Sequence, residues 1–364
     1  MGFDAFHGNR DVVDHLRSML ARDRFPHAVI LAGPEGAGKY TLAQMLAKTM
    51  NCLSPPPGDS PDFCGQCANC KRIADADELA TLCAAAVEAR ESLRDADKKD
   101  TRIFVQTHPD VLIIPPDPPQ MMIKVDQVRH VIQTIYYRPG EGHRRVYIFT
   151  DAAFMKEAAN SLLKVLEEPP EFATIFLLAE NPGQLLPTIR SRCVTFRLAP
   201  LETSEIERDL ARLRPEWKPA QRALVARLAL GAVGRARSFD LPAYTAARQD
   251  ALILLGAAIG GDDHSALFRA TETYRAGAEG RAKADHLLRA FYSLLEDLLV
   301  LKSGTPELVR NTDIAGELQR LASSVDFPWI ATAAQRMGEV ESGMRRNLLR
   351  SLSLDAAVVA LERG

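Results

Sequence analysis

The chain has 364 residues, a formal net charge of −2, 46% hydrophobic and 25% charged residues, which predicts two or three core-forming domains of about 150 residues each. The near-zero charge excludes a global basic field that would draw the chain onto nucleic acid, so any DNA contact is local or belongs to an assembly. The longest apolar stretch, residues 251–261, is far shorter than the ~20 residues of a membrane helix, and Met1-Gly2-Phe3-Asp4 turns polar too soon for a secretory signal, so we expect a cytoplasmic chain with no membrane partner.

Val12, Val13, Leu16, Met19 and Leu20 recur at helical spacing and predict helix over residues 1–26. Residues 27–32 are a short apolar run that reads as a strand, and residues 41–50 read as a helix. Between them lies Gly33-Pro34-Glu35-Gly36-Ala37-Gly38-Lys39-Tyr40-Thr41. Strand, Gly-rich loop and helix in that order form the context of a phosphate-binding P-loop. Its glycines let backbone N–H groups turn toward phosphate oxygens at a helix N-terminus, and Lys39 would reach the outer phosphates. The pattern asks for Ser or Thr after the lysine, to hold Mg²⁺; here stands Tyr40, whose phenol is too long and rigid for that role. Thr41 would supply a hydroxyl only if the loop shifted by one residue, against the register set by Gly38-Lys39.

Four of the six cysteines cluster as Cys52-x11-Cys64-x2-Cys67-x2-Cys70. In a reducing compartment such a cluster reads as a metal site rather than a disulfide set. Four thiolates suit tetrahedral Zn²⁺, and four protein ligands close the shell, so the expected role is structural; iron–sulfur ligation is the rival. Gly58, Phe63 and Gly65 fit a tight knuckle. Residues 52–70 read as loop, and residues 71–100 as an Ala-rich, charged helical insertion on the surface, with Cys83 within it.

Further strands are predicted at 111–114, 146–149, 175–179 and 194–196, with helices at 126–136 and 155–168, the second stopped by Pro169-Pro170. Strands alternating with helices argue for an α/β fold with a parallel sheet covered on both faces. A hydrolysing P-loop protein needs an apolar strand ending in an acid that holds Mg²⁺. Here the strand ends Phe149-Thr150-Asp151. With Thr150 in the first acid position the metal carboxylate is missing; in the alternative register Asp151 is the metal acid itself.

In the helix before Pro169, Leu162, Leu163 and Leu166 should face the sheet. Glu167 and Glu168 sit at its C-terminal end, where acids oppose the macrodipole, which hints at a site. Taken alone, Arg192 of Ser191-Arg192-Cys193 reads as a surface ion-pair former and Cys193 as a small buried residue. Beyond residue 198 no strand is predicted: residues 205–213, 221–230 and 233–239 form a small helical unit, and from about 243 the chain reads as long amphipathic helix. There Leu287, Phe291, Leu294, Leu295, Leu298 and Leu299 make one apolar stripe, read as helix-bundle core.

Together these residues resemble the delta-prime family of bacterial DNA polymerase III sliding-clamp-loader subunits, from about Gly8-Asn9 to Phe196. The resemblance rests on Pro26-His27-Ala28, the P-loop, the four cysteines, His108-Pro109-Asp110, residues 160–170 and Ser191-Arg192-Cys193. It implies an AAA+ domain at 1–199 with its zinc module at about 52–70 and the insertion at about 71–100, a helical lid at 200–242, and a helical collar for oligomerisation at 243–364. It implies structural zinc on Cys52, Cys64, Cys67 and Cys70, and a finger role in trans for Arg192 on ATP bound by a neighbouring subunit. The motor subunits of the same loader keep an intact P-loop, a paired-acid strand end and a nucleotide-sensing arginine near position 234; this chain departs at Tyr40, Thr150 and Gly231-Ala232-Val233-Gly234-Arg235.

The implied function is that of a stator: a subunit without autonomous ATPase activity in the polymerase holoenzyme. It would assemble a hetero-pentamer with motor and clamp-opening subunits, and meet primer-template DNA and the sliding clamp through that assembly. ATP or ADP is the nucleotide its P-loop would hold. Two other readings stand beside it: an active AAA+ ATPase subunit, and a zinc-dependent nucleic-acid-binding module, the latter opposed by the low charge.

Overall fold

The structure is a computed structural model that describes residues 2–260, 264–275, 277–345 and 349–362. It divides into two compact units, Met1–Glu202 with Gly231–Arg235, and Thr203–Leu230 with Ala236–Gly364.

The first unit opens with helix α1 (Arg10–Ala21), strand β1 (Ala28–Ala32) and helix α2 (Lys39–Met50). Three helices follow: α3 (Ala68–Ala74), α4 (Leu79–Glu91) and α5 (Asp95–Asp100). Then come β2 (Val105–His108), β3 (Val111–Ile114), α6 (Val125–Thr134), β4 (Arg145–Phe149), α7 (Lys156–Glu167), β5 (Ala173–Ala179), α8 (Pro187–Arg190) and β6 (Val194–Arg197). The sheet order is β2-β3-β4-β5-β1-β6. Pairing is parallel from β3 through β6 and antiparallel only between β2 and β3.

The central strands are apolar on both sides because helices cover both faces. Val29, Leu31, Val146, Ile148, Phe176 and Leu178 meet Leu42 and Leu46 of α2 on one face. Ile30, Tyr147, Phe149, Ile175 and Leu177 meet Val128, Val131, Leu162 and Leu166 on the other. Leu162 and Leu166 are buried, as expected, and Leu163 packs partly buried at the margin of the same cluster.

The five parallel strands lie where the apolar runs predicted them. Strand β2 escaped that reading because Gln106 and Thr107 interrupt its two buried residues, as suits a short edge strand. Past a single 3-10 turn at Phe3–Ala5, the N-terminal α-helix runs only from Arg10 to Ala21, since Gly8 and Asn9 both take positive φ. The cysteine loop ends earlier than expected, with α3 already running from Ala68. Insertion helix α4 is largely exposed, yet its last turn buries Arg90, whose Nη1 meets the fully buried Asp117 carboxylate at 2.6 Å. Lys124 reaches the same carboxylate at 3.0 Å.

The second unit is helical: α9 (Thr203–Leu213), α10 (Pro219–Leu228), α11 (Val233–Arg237, shared with the first unit), α12 (Leu241–Gly260), α13 (Ser265–Glu272), α14 (Gly277–Lys302), α15 (Ala315–Ser324), α16 (Phe327–Arg345) and α17 (Arg350–Val359). Along α14, Leu287, Phe291, Leu294, Leu295 and Leu298 are buried, whereas Leu299 is 42% exposed. At 3.6 residues per turn Leu299 lies roughly 120° around the helix from Leu287, at the edge of the stripe. A buried polar joint ties the loop before α15 to this bundle: Arg248 pairs with Asp313 at 2.6 Å, and Asn311 Nδ2 donates to Asp297 at 2.7 Å.

Candidate functional site

The P-loop and the end of β4 face one cavity. Glu35, Gly36, Gly38, Lys39, Tyr40, Thr41, Thr150 and Asp151 line one cavity of about 680 Å³, together with Leu79, Glu180 and Gly234. Gly33 begins the loop, its N–H donating to Ala179 O at 3.1 Å at the end of β5. Gly38 caps α2 in a left-handed conformation, φ 90°, and its carbonyl accepts from Leu42 N at 2.8 Å.

Inside this pocket the functional groups are turned onto the chain itself. Lys39 Nζ donates to Gly33 O at 2.6 Å and Pro34 O at 2.8 Å. Burial lowers the Lys39 pKa, while the Glu180, Glu35 and Asp151 carboxylates work to raise it. The Tyr40 hydroxyl donates to Ala76 O at 2.6 Å and accepts from Gln44 Nε2 at 2.6 Å. Burial pushes the phenol pKa upward despite the Gln44 hydrogen bond, so it is a neutral strut between α2 and the insertion. Asp151 Oδ1 accepts from Ala153 N at 2.9 Å and so closes its own turn.

Residue 234 lies against the P-loop. Gly234 N donates to Gly36 O at 2.8 Å, and a Cβ at 234 would stand 2.8 Å from that same oxygen. A Cβ at Gly36 would in turn meet Arg235 N at 2.6 Å. No side chain fits at either glycine unless the backbones part. Glu35, Gln44 and Glu180 were not singled out in the sequence; the only signals were their places beside the P-loop and directly after an apolar strand.

The four cysteines converge as predicted: their Sγ atoms all lie within 4.8 Å of one another, and none is in a disulfide. Tetrahedral Zn–S bonds of ~2.3 Å demand similar sulfur separations. Backbone N–H groups already point at the sulfurs, with Cys64 N to Cys52 Sγ at 3.3 Å, Cys67 N to Cys64 Sγ at 3.3 Å and Cys70 N to Cys67 Sγ at 3.5 Å. Burial opposes ionisation of Cys67, yet the N–H groups of Cys70 and Leu53 and the Cys70 and Cys64 thiols bring its pKa down to about 6. Donor set, spacing and N–H···S bonds therefore fit one thiophilic divalent ion. Cys83 stands apart on α4, and burial raises its thiol pKa.

Arg192 lies in the turn between α8 and the edge strand β6. Buried Ile189 anchors that turn, and Arg192 N donates to Ile189 O at 3.0 Å. The guanidinium remains one-third exposed: Nη1 donates to Thr188 O at 2.9 Å and Nη2 to Glu167 Oε1 at 2.5 Å. The acid that opposed the α7 macrodipole thus has a cationic partner. Cys193 packs partly buried against the core behind, where burial pushes its thiol up to about 12.

A parallel sheet in this order, with a P-loop after β1, an acid-bearing end on β4 two strands away and an arginine turn at its edge, is that of the P-loop AAA+ class. The family model described as DNA polymerase III, delta subunit, matches residues 8–202. The chain belongs to that family. Its relatives include the DNA polymerase III subunit delta' of Bacillus subtilis, 34% identical over 198 residues, 54% of this chain and 49% of that protein. The delta' subunit of Pseudomonas aeruginosa is 33% identical over 202 residues, 55% of this chain and 51% of that protein. The tau/gamma subunit of Haemophilus influenzae is 28% identical over 232 residues, 63% of this chain and 28% of that protein. The chain thus spans about half or less of the length of these curated relatives. Among the described residues, no helix is long and apolar enough to cross a membrane.

Proposed function

We propose that this chain is a delta-prime stator of a DNA polymerase III clamp loader. It assembles with motor and clamp-opening subunits in a hetero-pentamer and presents Arg192 in trans to ATP bound by a motor neighbour. The AAA+ domain at 1–199 carries this role, with the lid at 200–242 and the collar at 243–364 joining the ring. Primer-template DNA and the sliding clamp are met through the assembly, in the cytoplasm.

The observation that carries the reading is the inward-turned P-loop. Lys39 is spent on its own loop carbonyls, Tyr40 on Ala76 and Gln44, and Gly36 on Gly234. A triphosphate with Mg²⁺ would have to displace Lys39 from those carbonyls and approach the Glu35, Asp151 and Glu180 carboxylates without a hydroxyl at position 40. Arg192, by contrast, is one-third exposed, held by the half-exposed Glu167 carboxylate and the Thr188 carbonyl. A guanidinium fixed beside charge developing on a transferring phosphoryl group is worth ~10³–10⁵ in rate in related P-loop enzymes. Structural zinc on Cys52, Cys64, Cys67 and Cys70 completes the reading; when bound it supplies a fixed four-ligand knot and no chemistry.

One observation favours a narrower second reading, that the loop still holds ATP or ADP without hydrolysing it: the cavity around Lys39 persists at about 680 Å³. Nucleotide titration of the isolated chain with and without Mg²⁺ separates the two. The main test is reconstitution of the loader with and without this chain. Loss of DNA-stimulated ATP turnover on omission, and its return on addition, is the expected result; turnover indifferent to the chain refutes the stator role.

A further inference from the structure

The loop from 140 to 144 offers five successive backbone N–H groups, and all five are taken by two buried side chains. Gly140 N, Glu141 N and Gly142 N donate to the Asp110 carboxylate at 2.7, 2.8 and 2.7 Å. His143 N and Arg144 N both donate to Asn51 Oδ1 at 2.9 Å. Asn51 is the residue directly before Cys52. The residue directly before Cys70, Asn69, donates through Nδ2 to Asn51 O at 3.0 Å and to Glu141 O at 3.3 Å. Arg72, two residues beyond Cys70, pairs with the Glu141 carboxylate and donates to Asn69 Oδ1 at 3.2 Å. Asn51 and Asn69 are 0% and 1% exposed, so these bonds lie out of water, where an unmade partner is costly. The fit is close: a Cβ at residue 142 would stand 2.2 Å from Asn51 Oδ1.

We infer that the cysteine knuckle is the anchor of the 140–144 loop, with Asn51 and Asn69 as positioning residues, so that metal affinity at the four cysteines and order in this loop are thermodynamically coupled. The inference rests on the metal reading above. Its physical basis is that the knuckle spans Cys52 to Cys70, and the asparagine before each of these outer ligands reads the loop backbone. An ion that fixes the two cysteines fixes the two asparagines. The loop leads directly into β4, whose far end carries Thr150 and Asp151, and follows the exposed Tyr136 and Tyr137, so the knuckle sets the corner at which α6 hands over to β4. Coupling is reciprocal in binding free energy: disturbing the loop must weaken the metal by the factor by which the metal orders the loop.

The test uses the full chain and Zn²⁺. Zinc affinity is measured by competition with a chromophoric chelator for wild type, Gly142→Ala and Asn69→Ala, and amide hydrogen exchange is followed with and without zinc. Neither variant touches a cysteine. Expected is about a tenfold or greater loss of zinc affinity in both, in line with the effect of outer-sphere partners elsewhere. Zinc removal should expose amides 140–144 while β1 amides 28–32 stay protected. Wild-type affinity in both variants overturns the coupling, as does unchanged protection of 140–144 without zinc. Equal loss of protection in β1 also overturns it, since the anchor would then be global. If Gly142→Ala fails to fold, Asn69→Ala carries the affinity test. No zinc bound by wild type sinks the metal reading itself, and this inference with it; zinc bound without coupling sinks this inference alone.

Discussion

Arg192 Nη2 lies 2.5 Å from Glu167 Oε1, which joins the turn before β6 to the C-terminal end of α7. The pair is between one-third and one-half exposed, a setting in which ion pairs contribute ~0–1 kcal/mol. Glu167 therefore holds the guanidinium in place without trapping it. A phosphate carrying more charge than a carboxylate can take the arginine over at small cost.

In the reconstituted loader, Arg192→Ala should leave assembly intact by size-exclusion chromatography and depress DNA-stimulated ATP turnover about tenfold or more, as loss of a trans arginine predicts. Glu167→Gln should keep both assembly and turnover within a few-fold of wild type. Undiminished turnover in Arg192→Ala removes the finger assignment.

Tyr40→Thr restores the small hydroxyl of an intact P-loop, yet should not create Mg²⁺-dependent ATP turnover in the isolated chain. Lys39 stays on Gly33 and Pro34, and Gly234 stays on Gly36. The substitution should instead cost about 1–3 kcal/mol in urea unfolding, because Ala76 O loses its donor and Gln44 Nε2 its acceptor. Robust turnover by this single variant would show that position 40 alone disables the site.

Asp110 makes stability depend on acid. Burial alone would raise its pKa, but the N–H groups of Gly140, Glu141 and Gly142 hold it below the ordinary 3.8. A depressed folded pKa contributes stability that is full above the unfolded value and is lost as pH falls through the folded one. Asp110→Asn cannot accept all three N–H groups and should lose about 1–3 kcal/mol at pH 7. Chemical denaturation as a function of pH should show the gap to wild type closing below pH ~4, and a gap that widens in acid contradicts the assignment.

Arg90→Met should loosen the docking of the insertion. It leaves Asp117, which is 0% exposed, with Lys124 as its one remaining cationic partner. Removing one partner of a buried ion pair costs on the order of 3–5 kcal/mol, here reduced by the lysine that remains. Thermal unfolding should fall by several degrees, with amides of α4 losing hydrogen-exchange protection first. An unchanged melting temperature would mean that Lys124 alone neutralises the site.

Much of the molecule was legible in residue order. Apolar runs such as 28–32 and 175–179 marked the central strands, because a strand covered on both faces reads as a near-continuous apolar run. Cysteine spacing marked the knuckle, and Gly33 to Lys39 the P-loop, because each depends on neighbours close in the chain. The edge strand Val105–His108 was not legible, since the polar Gln106 and Thr107 break its apolar run.

What tertiary structure decided is where the polar groups end. The sequence told that Tyr40 cannot hold Mg²⁺; only the fold showed it strutting against Ala76, which lies 36 positions away. Gly234 was an absent arginine in the sequence and is a backbone contact on Gly36 in the fold. Asn51 carried no signal at all, yet it receives the amides of His143 and Arg144 across more than ninety positions. Propensity, burial pattern and ligand spacing are local or periodic and can be read along the chain. A hydrogen bond between distant segments depends on how the whole sheet and its covering helices bring them together, and no one-dimensional pattern records it.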